Sequence, residues 1–155
     1  MIFTALIFGV LAGSLALIIE LVFLNMNGSL STAPVPPDFT NLAILTAAVL
    51  IEEVARMLFL HQFSRRYFAA ASPTKIALIL IGLLYGLGYA TLELGLILSQ
   101  GGAPFKSLVG IVAIHSILSL LFVFSLSGKL RFSLLWAFAL GSALHLLYNL
   151  SLTYF

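Results

Sequence analysis

The sequence predicts an all-α fold, a polytopic helical membrane bundle of about five transmembrane helices in a single domain. Hydrophobic residues make up 62% of the 155 positions and charged residues only 8%, against roughly 25% charged residues in soluble domains. A soluble fold with this composition lacks the polar side chains needed to cover its surface. The apolar residues also form long runs that are separated by glycine, proline and asparagine. These observations exclude a soluble enzyme and a disordered chain.

Five segments have the length of about 20 apolar residues that a spanning helix needs. Pro73 is suited to the start of the third helix. The first segment lacks a basic start and its apolar run is too long for a signal peptide, so we expect a retained helix. The predicted spans are 2–25, 41–62, 75–99, 105–127 and 132–155.

The few charged residues indicate the orientation of the chain in the membrane rather than a binding surface for a charged partner. Seven basic residues and a net charge of +2 are too few for a phosphate-binding surface, so we expect no nucleic-acid partner. By the positive-inside rule the second and fourth loops are cytoplasmic, the N-terminus is inside and the C-terminus is outside. We expect an integral protein of the prokaryotic plasma membrane. The residues that carry this orientation are Arg65, Arg66, Lys75, Lys129 and Arg131.

Several polar residues lie inside the predicted spans, where a charged side chain at mid-membrane costs about 2.5–3.5 kcal/mol on insertion scales. Counted from the outer helix ends at about 1.5 Å per residue, Glu52, His115 and His145 lie roughly 14–17 Å deep. Glu93 and Asn149 lie roughly 9 Å deep by the same count. Four helices thus bring polar groups to one layer, which predicts a functional site there. The candidate site residues are Glu52, Glu53, Arg56, Glu93, His115, His145 and Asn149.

The residue types in this layer are those of a hydrolase. Arg56 can pair with Glu52 at i, i+4 or with Glu53 at i, i+3. A buried carboxylate can act as the general base for water, and imidazole or amide groups can stabilise an oxyanion. We expect no cofactor, since the chain has no cysteine and no local zinc motif such as H-E-x-x-H. A zinc site remains an alternative, with the ligands Glu93, His115 and His145.

The same residues also have structural interpretations. The two glutamates and Arg56 can form a neutralised cluster that only packs helices, and His145 can hydrogen-bond between helices with Asn149. The other polar residues have similar interpretations: Glu93 is reached by water, His115 packs between helices, and Glu20 and His61 lie at the membrane interfaces.

Four short segments stand in order on the second to fifth spans: IEEVAR (51–56), GLGYATLE (86–93), AIHS (113–116) and HLLYN (145–149). Together they resemble the motifs of the PrsW-like, YhfC-like and CAAX-processing (CPBP) superfamily of glutamic-type intramembrane proteases. The chain departs from that pattern at Arg56, where many PrsW proteins have lysine. An arginine keeps the charge but changes its geometry.

The resemblance implies an intramembrane endopeptidase that acts in the lipid bilayer and cuts a membrane protein or a lipidated protein within or just outside the outer leaflet. The implied roles are a water-activating base at Glu52, supporting groups at Glu53 and Arg56, a polar pocket at Glu93 and His115, and oxyanion stabilisation by His145 and Asn149.

Two other functions remain open. A non-catalytic membrane scaffold would be similar to the assembly subunit of gamma-secretase, APH-1. A small ion-coupled transporter would also place glutamate and histidine inside the membrane, although transporters often contain broken helices and repeats, and the predicted spans are continuous and unrepeated.

Overall fold

A computed structural model describes residues 1–26, 39–68, 73–99, 101–102, 104–130 and 133–154. These residues form five α-helices and no strands, which confirms the all-α prediction. The helices are α1 (Ile2–Met26), α2 (Phe39–Tyr67), α3 (Lys75–Ser99), α4 (Phe105–Leu126) and α5 (Leu134–Tyr154). The side chains of residues 39–41 and 153–154 lie outside the description.

The helices agree with the predicted spans except at α2. That helix is 29 residues long, so it begins before the predicted start at residue 41 and continues past the predicted end at residue 62. Its last turns carry Arg65 and Arg66, both exposed. Charged residues prefer water to hydrocarbon, so a span predicted from hydropathy stops at the last apolar residues. The helix itself continues beyond that point.

Four of the five helices are long and apolar enough to cross a membrane: α1, α3, α4 and α5. They fit an integral membrane protein, in agreement with the predicted class. The remaining helix, α2, carries three ionisable residues of the interior, Glu52, Glu53 and Arg56. At about 1.5 Å per residue its 29 residues extend roughly 44 Å, so its length also suffices for a crossing.

Glycine and alanine allow the helices to approach closely. Every buried residue of α1 is small: Ala5, Gly9, Ala12, Gly13 and Ala16. A Cβ added at Gly9 would overlap the carbonyl oxygen of Tyr85, and one added at Gly88 would overlap that of Leu6. On the other side of α3, a Cβ at Gly86 would overlap the backbone of Ser116 in α4. Small residues at such interfaces are typical of membrane helices, which associate through close packing.

Contacts between neighbours close the helices into a ring in the order α1, α3, α4, α5, α2 and back to α1, and α2 also contacts α4. Apolar and aromatic side chains fill the end of the ring where α2 finishes and α3 begins. There the rings of Phe8 and Phe63 lie 5.5 Å apart, edge to face, and Leu78, Ile81 and Phe122 are fully buried. The polar residues lie above this apolar core, in the middle of the bundle.

Candidate functional site

Arg56 is at the centre of the polar interior. Its side chain and that of Glu53 are fully buried. The guanidinium Nη1 lies 2.9 Å from Oε1 of Glu53 and 3.2 Å from Oε2. Of the two ion pairs that the sequence allows for Arg56, the structure therefore contains the i, i+3 pair with Glu53. A buried charge needs such a partner, since an unpaired one in low dielectric is strongly unfavourable.

A second branch leads from Arg56 to α4 and α3. Nη2 of Arg56 contacts Nδ1 of His115. Arginine can only donate, so this nitrogen accepts and the ring proton is on Nε2. Nε2 lies 2.7 Å from Oε2 of Glu93 and donates to it. The chain of bonds thus fixes one neutral tautomer of His115 and uses both of its ring nitrogens.

A third branch reaches α5 through Glu53. Nδ1 of His145 lies 2.8 Å from Oε1 of Glu53, and it donates because this carboxylate is paired with Arg56 and can only accept. The other ring nitrogen, Nε2, lies 3.8 Å from Oε2 of Glu52. That separation is too long for a hydrogen bond. The Nδ1 atom of His145 is therefore fixed by Glu53, and its Nε2 atom is directed toward Glu52.

Two tyrosines of α3 hold α2 in register. Tyr85 donates its hydroxyl hydrogen to the carbonyl oxygen of Arg56 at 3.2 Å, and Tyr89 donates to that of Glu52 at 3.1 Å. The guanidinium carbon of Arg56 lies 4.5 Å from the centre of the Tyr89 ring, a cation–π geometry. Tyr89 also lies beside the ring of His115, with the centroids 5.0 Å apart. Since α3 runs antiparallel to α2, the pairs 85 with 56 and 89 with 52 follow one line along the bundle.

A pocket opens beside this network, between the ends of α1 and α3 and the first half of α2. Its volume is about 120 Å³, which is enough for several water molecules. Three carboxyl groups line it, those of Glu20, Glu52 and Glu93. The other lining residues are Gly13, Ala16, Leu17, Tyr89, Leu92 and Leu96. Glu53 lies behind this lining, so the two adjacent glutamates differ: Glu53 is sealed in the ion pair and Glu52 faces the pocket.

Six of the seven sequence-predicted residues take part in the contacts described above or line the pocket. The seventh, Asn149, lies one turn beyond His145 on α5 and is partly buried. The described lining of the pocket lies on α1, α2 and α3 and does not include Asn149. The oxyanion role implied for Asn149 stays a prediction.

Glu20 is a pocket residue that the sequence analysis placed at a membrane interface. Its carboxyl group lines the pocket together with that of Glu52. A signal for this position was present in the sequence. Gly9, Gly13, Ala16 and Glu20 are spaced by four, three and four residues, so Glu20 continues the small-residue face by which α1 packs into the bundle.

A metal-ligand arrangement differs from the predicted zinc set. Within the described part of the chain, atoms of Glu52, His115 and His145 that could bind a metal lie within 4.8 Å of one another, whereas Glu93 is bonded to His115. His115 fits a metal poorly, because Arg56 occupies one of its ring nitrogens and Glu93 the other. A cation bound to this histidine would have to displace one of those partners.

No family model, no curated protein and no solved structure matches the chain. The class that the fold and site define is a helical membrane protein with an ion-paired polar interior and an adjoining acidic pocket. The resemblance to the PrsW-like and CAAX-processing superfamily stays a prediction.

Proposed function

We propose that the protein is an intramembrane endopeptidase of the glutamate type, which hydrolyses a peptide bond of a membrane-associated substrate. The observation that carries the proposal is the difference in surroundings between the carboxylates of Glu52 and Glu53. One carboxylate faces a water-sized pocket and the other is fixed by Arg56 and His145. A scaffold needs only the fixed carboxylate, whereas a hydrolase needs both.

Glu52 is the proposed general base. Its carboxylate takes a proton from a water molecule in the pocket as that water attacks the substrate carbonyl carbon. The backbone carbonyl of Glu52 accepts a hydrogen bond from the hydroxyl of Tyr89. This bond fixes the backbone of Glu52 while its carboxylate faces the pocket. Such positioning of a base near its water is a large part of catalytic efficiency.

His145 is the proposed oxyanion-stabilising group, in its doubly protonated form. With Nδ1–H bound to Glu53, a neutral ring has only a lone pair on Nε2. Donation from Nε2 to an oxyanion therefore requires a second proton, and the Glu53 carboxylate stabilises the resulting imidazolium as the aspartate does in serine proteases. In this proposal Arg56 keeps Glu53 ionised, and Glu93 orients His115 in the wall of the site.

Cleavage of natural membrane proteins tests the proposal. Purified protein is reconstituted into liposomes together with a detergent-extracted membrane-protein fraction, and newly formed peptide N-termini are labelled and identified by mass spectrometry. We expect new termini with the wild-type protein and none with Glu52→Gln. Identical termini from the two proteins, or no new termini from either, would refute the peptidase function.

A scaffold is the second candidate, favoured by the bonds that join four helices through Arg56, Glu53, His115, Glu93 and His145. Such a network can fix helix packing without chemistry. A scaffold would retain its function in Glu52→Gln and lose it in Glu53→Gln, because only the second substitution breaks the network. Cross-linking of both variants in membranes, followed by isolation of a stoichiometric partner, distinguishes the two functions.

A further inference from the structure

Glu20 is the second carboxyl of the pocket that faces Glu52, and it comes from a different helix. One of its oxygens, Oε1, is buried and has no hydrogen-bond partner among the described residues. A buried polar atom in this state calls for an explanation. The carboxyl groups of Glu20 and Glu52 line the same cavity.

The chemistry of two facing carboxyls supplies that explanation. A carboxylate can only accept hydrogen bonds, so two ionised groups cannot bond to each other and would repel. A hydrogen bond between them requires one proton, held on one oxygen and accepted by another. Aspartic proteases use such a pair of carboxyls that share one proton, with one group acting as base while the other acts as acid.

The other glutamates near the pocket are already engaged. Glu53 is ion-paired with Arg56 and accepts from His145, and Glu93 accepts from Nε2 of His115. Both are held as acceptors. Of the four glutamates in the described interior, Glu20 is thus the one placed to carry a proton next to Glu52. The packing of Gly13 against the backbone of Tyr89 fixes the face of α1 on which Glu20 lies.

We propose that Glu20 is a further catalytic residue, the carboxylic acid that protonates the leaving amine; this rests on the peptidase function proposed above. Ionised Glu52 takes one proton from water, and the hydroxide oxygen bonds to the carbonyl carbon to give a tetrahedral oxyanion. Glu20 then gives its proton to the amide nitrogen as the carbon–nitrogen bond breaks. The carbonyl reforms as a carboxyl group, and the proton on Glu52 passes to Glu20 across their hydrogen bond, which restores the pair.

Infrared spectroscopy tests the shared proton without any substrate. We expect a carboxylic-acid carbonyl stretch from the wild-type protein at neutral pH, and we expect this band to be lost or shifted in both Glu20→Gln and Glu52→Gln. Ser14→Ala is the matched control on α1, because the Ser14 hydroxyl donates to the carbonyl of Val10, one turn away on the same helix. Absence of the band from the wild type, or a band unchanged in either glutamine variant, overturns the proposal.

Turnover tests the catalytic role. The probe is a cleaved segment identified by the terminus experiment, synthesised with a fluorophore and a quencher and reconstituted with the protein in liposomes. We expect Glu20→Gln to lower kcat at least about 100-fold, the lower range for a lost general acid, with KM changed less than about twofold. We expect Glu20→Asp to recover part of this loss, and the pH profile of Glu20→Gln to lack the alkaline limb that ionisation of the acid produces in the wild type.

The outcomes for the two proposals are distinct. Full activity of Glu20→Gln beside an inactive Glu52→Gln overturns the role of Glu20 and leaves the peptidase function intact. No cleavage by the wild type refutes the peptidase and with it the catalytic role, while the infrared result still decides whether the two carboxyls share a proton. Equal helix content and thermal unfolding of Ser14→Ala and Glu20→Gln show that a lost rate is not lost folding.

Discussion

His145 donates its Nδ1–H to Oε1 of Glu53 across 2.8 Å, which joins residues that are 92 positions apart in the chain. The same oxygen lies 2.9 Å from Nη1 of Arg56. One carboxylate oxygen thus ties α5 to α2 and sets the direction of the imidazole. The other ring nitrogen, Nε2, is directed toward Glu52. Because Glu53 fixes the orientation of the imidazole, it also fixes the position of Nε2 relative to Glu52.

The contrast between the adjacent glutamates predicts different effects on stability. Glu53→Gln leaves Arg56 as an uncompensated buried charge, and removal of one partner of a buried pair costs about 3–5 kcal/mol. Glu52→Gln replaces a group at the pocket edge and changes the free energy of unfolding by less than about 1 kcal/mol. Thermal unfolding of both variants in the same detergent measures the difference. Equal unfolding of the two would show that the Glu53–Arg56 pair does not hold the bundle together.

Arg56→Lys tests the geometry of the central cation separately from its charge. A lysine has one nitrogen where Arg56 uses two, one for Glu53 and one for His115. We expect a loss of about 1–3 kcal/mol, the cost of leaving one buried polar group without its partner. Arg65→Lys is the matched control, since Arg65 is exposed on the same helix and should change stability by less than about 0.5 kcal/mol.

A wild-type unfolding temperature for Arg56→Lys would contradict that expectation. It would mean that a lysine serves both partners, as the lysine found in many PrsW proteins would have to do. The test therefore also bears on the departure of this chain from the motif that it resembles.

Hydropathy and helical rise predicted most of the helix ends and the depth of the polar residues, because both quantities depend only on position along one helix. The ends of α1, α3 and α4 agree with the predicted spans to within one residue. Depth counting also placed Glu52, His115 and His145 in one layer, and the structure brings the three together. Each of these predictions needs only the length of a helix and the distance from its end.

The partners within the layer could not be predicted, because they depend on how each helix is rotated about its axis. The sequence allowed Arg56 to pair with either glutamate, and the structure pairs it with Glu53. It gave no reason to expect Tyr89 against the guanidinium of Arg56. Glu20 was assigned to an interface because it lies near the predicted end of an apolar helix, a position at which polar residues are ordinary.

The glycines of α3 predict a further set of outcomes. A Cβ at Gly88 would overlap the backbone carbonyl of Leu6, and backbone cannot move aside as a flexible side chain can. We expect Gly88→Ala to force α1 and α3 apart and to destabilise the bundle by about 1–3 kcal/mol, as overpacking does. Gly95→Ala is the control on the same helix, since a Cβ there meets nothing within 4 Å.

The measurement is thermal unfolding, with Gly95→Ala expected to unfold no earlier than the wild type because alanine favours helix over glycine. Because α1 carries Glu20, we also expect Gly88→Ala to lower the activity more than its stability loss alone explains. Equal stability of Gly88→Ala and the wild type would show that α1 and α3 pack less closely than the structure has them.

The metal content of the purified protein discriminates between the two mechanisms that the sequence left open. Nδ1 of His115 contacts Arg56 and Nε2 bonds to Glu93, so we expect zinc well below one equivalent in the wild type. We also expect the same low level in a His115→Ala/His145→Ala double variant, and unchanged cleavage in the presence of a chelator. Zinc near one equivalent that the double variant loses, after a re-addition control for metal stripped during purification, would contradict this. Glu52 and the two histidines would then be the ligand set to test, because their ligand atoms lie within 4.8 Å of one another, and Arg56 would have to leave His115 for the metal to bind.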